Sequence, residues 1–187
     1  LAVPGNYNVD NALGALAILH GAFGLDFDEI APQLGTYLGL ENRFTVRRAG
    51  QLTIVKDYIS HPTGMRRVLE SARKMPHERI WCVFKPYRFT LMHYHGPEYA
   101  TAFQGADEVV ITKMYAAEER PIDGVDTPWF CDVLRKEGNR VHYIAENRDV
   151  IDYLEPLLKP NDMVLFFGGD DFFQMADRWC DEIDARA

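Results

Sequence analysis

The sequence predicts an α/β protein: a doubly wound, mostly parallel sheet with helices on both faces, preceded by a short helical pair. Three observations carry this. Short apolar runs rich in Val, Ile and Phe recur along the chain, helix-like segments alternate with them, and the first 40 residues lack such runs. Strands separated by helices require crossover connections, and those place helices on the faces of a parallel sheet.

Each element follows in order. Val9, Ala12, Leu13, Ala15, Leu16 and Leu19 recur at helical spacing, so the pattern predicts a helix from Asn8 to Ala22 after a Pro4-Gly5-Asn6 turn. A second helix is expected from Phe27 to Leu38, with Asp28 and Glu29 in its first turn and Gly39 at its end. Phe44–Arg48 and Leu52–Val55 flank Ala49-Gly50 and read as a hairpin. Helices are then expected over about 62–75, 97–104, 127–137, 147–158 and 171–185. Between them lie four strand candidates, Ile80–Phe84, Glu108–Thr112, Val141–Ile144 and Met163–Phe167. The change of texture between Gly39 and Arg43 predicts two parts, residues 1–40 and 41–187.

Composition narrows the function. The 187 residues are 47% hydrophobic with a formal net charge of −8, which supports a substantial core and disfavours a nucleic-acid partner. Cys82, Cys131 and Cys180 are widely spaced and odd in number, unlike a disulfide framework or a CxxC zinc site. A reducing, cytoplasmic setting without membrane insertion is the expectation, since no apolar run nears the roughly 20 residues of a spanning helix. The text begins at Leu1 in mid-pattern and reads as a piece of a longer chain.

In an open α/β sheet, ligands bind beyond the carboxyl ends of the strands. The segments there are unusually polar: Lys56-Asp57-Tyr58-Ile59-Ser60-His61, Lys85-Pro86-Tyr87-Arg88, Lys113-Met114-Tyr115 and Gly168-Gly169-Asp170-Asp171. Together they are expected to line one edge. Asp57, Ser60 and His61 contain the ingredients of a nucleophilic triad, but residues this close in sequence seldom present its geometry. His93 and His95 lack a nearby carboxylate or cysteine partner and read as surface residues rather than metal ligands. Gly168-Gly169 permits close backbone approach to an anion, which the following aspartates oppose. Neither GxxxxGK(S/T) nor GxGxxG occurs, so a triphosphate would have to be held by another domain.

Four segments resemble the Mur ligase family. Pro4-Gly5-Asn6-Tyr7-Asn8-Val9-Asp10-Asn11-Ala12-Leu13 is similar to its PGxxNxxNALAA pattern, and Gly39-Leu40-Glu41-Asn42-Arg43-Phe44 to the entry of its third domain. Lys56-Asp57-Tyr58-Ile59-Ser60-His61-Pro62-Thr63 resembles the DDYxHHPT loop. Phe84-Lys85-Pro86-Tyr87-Arg88-Phe89-Thr90 resembles FQPHRYT of the muramate–alanine branch. The resemblance implies a Rossmann-like third domain (41–187) preceded by the helical tail of a central ATPase domain (1–40). It also implies ATP-dependent amide-bond formation on a UDP-muramyl precursor in peptidoglycan synthesis. ATP and Mg²⁺ would be held mainly by the central domain, and this piece alone would be inactive, with no catalytic residue and no metal ligand of its own.

Carried over by the resemblance, Asn8, Asn11, Arg43 and Asp57 are expected at ATP. Tyr58, Ser60, His61, Arg88, Gly168, Gly169 and Asp170 are expected at the incoming amino acid, with Arg88 on its carboxylate. The expected partners are the UDP-muramyl precursor, the amino acid and the remaining domains. Lys56, Ser60 and Leu91 stand where the pattern has Asp, His and Arg, which implies a changed acceptor preference. Two other outcomes are a recycling ligase that adds a tripeptide, and a ligase-like binding module without chemistry.

Overall fold

The computed structural model describes residues 1–186, apart from the side chain of Asp170. They fall into two units, Leu1–Glu41 and Asn42–Ala187. In the first, α1 (Asn6–Phe23) ends at Gly24, whose φ of +67° suits glycine and whose N–H closes onto the His20 carbonyl at 3.0 Å. No residue of α1 is buried. The expected second helix is shorter: α2 (Phe27–Ile30), capped by the Asp26 carboxylate accepting from the Asp28 N–H at 2.8 Å, continues as a 3₁₀ turn over Ala31–Gly35. Pro32 lacks the N–H an α-helix would need there, and Gly35 weakens further extension.

The second unit is built around a six-stranded sheet. In chain order it contains β1 (Thr45–Ala49), β2 (Leu52–Asp57), α3 (Pro62–Ala72), β3 (Ile80–Phe84), α4 (Phe89–Ala102), β4 (Glu108–Ile111), α5 (Thr127–Lys136), β5 (Val141–Tyr143), α6 (Val150–Leu154), β6 (Met163–Phe167) and α7 (Asp170–Arg186). The spatial strand order is β1-β2-β6-β3-β4-β5; β1 is antiparallel to β2, and every other pair is parallel. Ala49 pairs with Leu52, so the hairpin turns on Gly50-Gln51, with Gly50 at φ +52° as such turns prefer.

Central β3 and β6 are buried at every position, as strands covered on both faces must be. One face carries α3, α4 and α5. Met65, Val68, Leu69 and Ala72 of α3, with Phe130, Cys131 and Leu134 of α5, pack there against Val55, Cys82, Phe84 and Leu165. The other face carries α6 and α7, whose Phe172, Phe173, Ala176, Trp179 and Cys180 meet Ile54, Val83 and Phe166. No described helix is long and apolar enough to cross a membrane.

Two expectations are corrected here. α4 begins at Phe89 rather than 97 and contains Pro97. Proline removes one helical hydrogen bond, but the buried Met92, Gly96 and Tyr99 hold both halves against the sheet. Likewise, Lys56 and Asp57 are not loop residues; they continue β2 opposite Phe166 and Phe167. Side chains alternate along a strand, so Lys56 turns toward α7, where its ammonium meets the Asp177 carboxylate at 2.6 Å. Asp57 turns to the opposite face.

Candidate functional site

The connection after β3 leads to α4 on one face, and the connection after its neighbour β6 leads to α7 on the other. The sheet therefore has a switch point between β6 and β3, where the diverging chain leaves a crevice at the strands' carboxyl ends. A hollow of about 540 Å³ occupies this end of the sheet. It is lined by Tyr58, Ile59 and Ser60 after β2, Lys85 and Tyr87 after β3, Tyr115 after β4, and Gly168, Gly169 and Asp171 after β6. Four segments distant in sequence converge because parallel strands end together.

The walls are fixed by backbone bonds. The Arg88 N–H donates to the Tyr115 carbonyl at 2.9 Å, and the Tyr115 N–H donates to the Pro86 carbonyl at 2.8 Å. That pairing stacks the Tyr87 and Tyr115 rings with centroids 5.7 Å apart. Arg88 sits at φ +68°, an uncommon conformation for a non-glycine residue. On the opposite wall, the Tyr99 hydroxyl donates to the Ser60 carbonyl from within the core. Burial pushes the Tyr99 phenol above its ordinary range, so it stays a neutral donor. Tyr99→Phe is expected to lower stability by about 1 kcal/mol, and to speed amide exchange in the 58–61 segment more than in β3. Uniform exchange changes would show that this bond does not tether the loop.

Beside the hollow, the 42–44 turn is clipped to the end of β2. The Tyr58 N–H donates to the Asn42 carbonyl, and the Phe44 N–H to Asp57 Oδ2, both at 2.8 Å. Phe44 adopts φ +49°, and its strain is offset by a side chain that is buried in the core. Arg43, exposed, donates to the Tyr58 carbonyl at 2.6 Å and lies over the Tyr58 ring at 5.5 Å. The Asp57 carboxyl is 6% exposed, and burial raises its pKa to about 6 despite the Phe44 N–H and the Arg43 charge, which act to lower it.

The structure thus brings Arg43, Asp57 and Tyr58 together, and gathers Tyr58, Ser60, Gly168 and Gly169 around the hollow. It does not place His61 or Arg88 among the lining residues. His61 Nδ1 caps α3 by accepting from the Thr63 N–H at 3.3 Å, and its ring meets the edge of His95. Arg88 is exposed with its guanidinium over the Tyr87 ring at 5.2 Å. The Asp170 side chain lies outside the described residues. Asn8 and Asn11 sit in the first unit on α1, where Asn8 Nδ2 donates to the Pro4 carbonyl and Asn11 Nδ2 to Asn8 Oδ1. Asp57, Ser60 and His61 are engaged with these separate partners rather than with one another. His95 bonds Glu98, and among the described residues no cluster of three or more His, Cys, Asp or Glu could hold a metal ion.

Lining residues absent from the expected ligand set are Lys85, Tyr87, Tyr115, Asp171 and Ile59. Their place in the polar segments that follow the strands was the available signal. Lys85 donates to Asp171 Oδ2 at 2.6 Å, and Asn147 donates to the same oxygen at 2.8 Å. Burial raises the Asp171 pKa, but the Lys85 bond and charge outweigh it and hold the carboxyl below its ordinary range.

A Rossmann-like α/β unit with a ligand-sized hollow at its switch point defines the class. The family described as "Mur ligase, glutamate ligase domain" matches residues 42–169. The chain belongs to the Mur ligase family. It is 35% identical over 177 residues to a UDP-N-acetylmuramate–L-alanine ligase of Desulforamulus reducens, and 34% identical over 176 residues to that of Pelotomaculum thermopropionicum. These alignments cover 94% and 92% of the chain but 38% of each relative. The chain therefore spans well under half the length of these relatives. The solved UDP-N-acetylmuramate–alanine ligase of Thermotoga maritima superposes over 99% of this chain and 39% of its own, with TM-score 0.77 and 25% identity. A murein peptide ligase of Psychrobacter arcticus shares the fold at TM-score 0.70 and 19% identity, over 96% of this chain and 37% of its own.

Proposed function

We propose that this chain supplies the acceptor site and part of the ATP site of an ATP-dependent ligase of peptidoglycan precursor synthesis. The complete enzyme would join an amino acid, L-alanine or a relative of it, to UDP-N-acetylmuramate. The observation that carries this reading is the convergence of four strand-end segments on one hollow beside Arg43 and Asp57. The names of the similar ligases support the reaction.

The local chemistry fits a nucleotide. Arg43 uses one guanidinium donor on the Tyr58 carbonyl, and the group has five, leaving donors for phosphate oxygens. Asp57 spends Oδ2 on the Phe44 N–H, and its other oxygen suits a ribose hydroxyl. By the family resemblance, Asn8 and Asn11 are further candidates for contact with ATP. ATP supplies activation of a carboxylate as an acyl phosphate, with Mg²⁺ and the phosphates gripped by the central domain. This chain's part is to orient the amine of the acceptor and exclude water, with Tyr58, Ser60, His61, Arg88, Gly168, Gly169 and the Asp170 turn on the amino-acid side.

In the complete ligase, Arg43→Ala is expected to raise the KM for ATP about tenfold or more while changing the KM for the amino acid less than twofold. Residues 1–187 alone are expected to give no ATP-dependent ligation. Measurable ligation by this chain alone, or a larger effect of Arg43→Ala on the amino acid than on ATP, would overturn the assignment.

A further inference from the structure

We propose that Glu119 is a positioning residue that clamps the loop after β4 onto the start of α4 and so fixes Tyr87 and Tyr115 as one wall of the hollow; this rests on the reading of the hollow as the acceptor site. α4 lacks what a helix start ordinarily carries. Arg88, at its N-cap, makes no side-chain cap bond, and the first turn contains no acidic residue. Glu119, 29 residues beyond Thr90 in the chain, supplies both. Its Oε2 accepts from the Thr90 N–H at 3.0 Å and its Oε1 from the Thr90 hydroxyl at 2.6 Å, which sets a negative charge at the positive end of the helix dipole. The same Thr90 bonds hold the Glu119 carboxyl below its ordinary range.

What this clamp holds is strained. Between Tyr115 and Glu119 the chain passes through Ala117 at φ +49° and Glu118 at φ +67°, and Arg88 in the facing turn sits at φ +68°. Residues other than glycine keep such conformations only where their surroundings over-determine them. Two anchors do so here. Tyr115 bonds through its backbone to the 86–88 turn, donating to the Pro86 carbonyl at 2.8 Å and accepting from the Arg88 N–H at 2.9 Å. Four residues on, Glu119 donates its own N–H to the Ala116 carbonyl at 3.0 Å and grips Thr90 with its side chain. The stacked Tyr87 and Tyr115 rings, with centroids 5.7 Å apart, belong to these two clamped segments. Without the carboxylate, the start of α4 loses an acceptor, and strain in both turns can relax by moving the rings. Glu119 does not itself line the hollow, so it reaches an acceptor only through them.

The test uses the complete ligase with L-alanine as acceptor. Glu119→Ala should raise the KM for L-alanine about tenfold and leave the KM for ATP within about twofold. Glu119→Gln keeps an oxygen for the Thr90 N–H and should recover most of that loss, while Glu118→Gln, which removes the neighbouring charge, should match the unaltered enzyme. In a Tyr115→Ala background, Glu119→Ala should add less than about twofold, because the wall it positions is already gone. If Glu119→Ala does not fold, the same cycle is read with Thr90→Val, which removes one of the two bonds. A full loss on both backgrounds, or equal rises in the KM for L-alanine and for ATP, would mark Glu119 as a structural cap only and overturn the proposal. An equal loss in Glu118→Gln would overturn it in favour of a general charge effect. An unchanged KM for L-alanine in Tyr115→Ala would sink the acceptor-site reading and this proposal with it, whereas a raised KM there beside an unaffected Glu119→Ala enzyme would overturn the proposal alone.

Discussion

Phe84→Ala is expected to destabilise the α/β unit by about 3–5 kcal/mol, a large fraction of the stability of an ordinary domain. Phe84 ends β3, is fully buried, and contacts three aromatic rings, those of Tyr99, Phe103 and Phe130, at centroid distances of 5.5, 5.8 and 6.2 Å. Truncation removes the ring's transfer free energy and leaves a cavity that surrounding rings, pinned by a sheet and two helices, fill poorly. The next residue is Lys85, so loosening this corner also frees a wall of the hollow. Urea denaturation checks the stability, with the midpoint falling and the slope unchanged. A loss under 1.5 kcal/mol would mean that this aromatic cluster repacks freely.

Asp57→Asn is expected to stabilise the unit at pH 7 by up to roughly 3 kcal/mol, while weakening any contact that needs the charge. The carboxyl's pKa of about 6 in the folded chain exceeds its ordinary value of 3.8, so between those values the folded state binds more protons than the unfolded state. Stability from this group is thus fully present below about pH 4 and is lost as pH rises through 6. Asparagine keeps an oxygen for the Phe44 N–H without the buried charge. Thermal or urea unfolding from pH 4 to 7.5 should show a decline for the native chain that is absent, after subtraction of other groups' shared slope, in Asp57→Asn. Parallel profiles for the two proteins would refute the raised pKa. Retention of an ionised group that costs stability is what a ligand-facing carboxylate would require.

Much of the architecture was readable because burial leaves a simple pattern. Ile80–Phe84 and Met163–Phe167 are continuous apolar runs, and the structure makes them adjacent central strands. Lys56 was less readable. Its charge suggests a loop, but β2 extends through it because Asp177, 121 residues away, neutralises the ammonium from α7. Pro97 misled in the same way, since propensity describes an isolated segment and α4 is held by packing of Met92 and Tyr99. At the hollow, the polar residues after each strand marked the edge where a ligand belongs. They did not reveal that Arg88 would turn onto a tyrosine and leave the lining to Lys85.

The sequence by itself determined the alternation of strands and helices, the polar strand ends and the family, since hydrophobic periodicity and local motifs are properties of neighbouring residues. Only the tertiary structure decided that β6 inserts between β2 and β3, and so which charges meet. The physical reason is reach: Lys85 and Asp171 are 86 residues apart, and their 2.6 Å contact exists only because two parallel strands finish side by side.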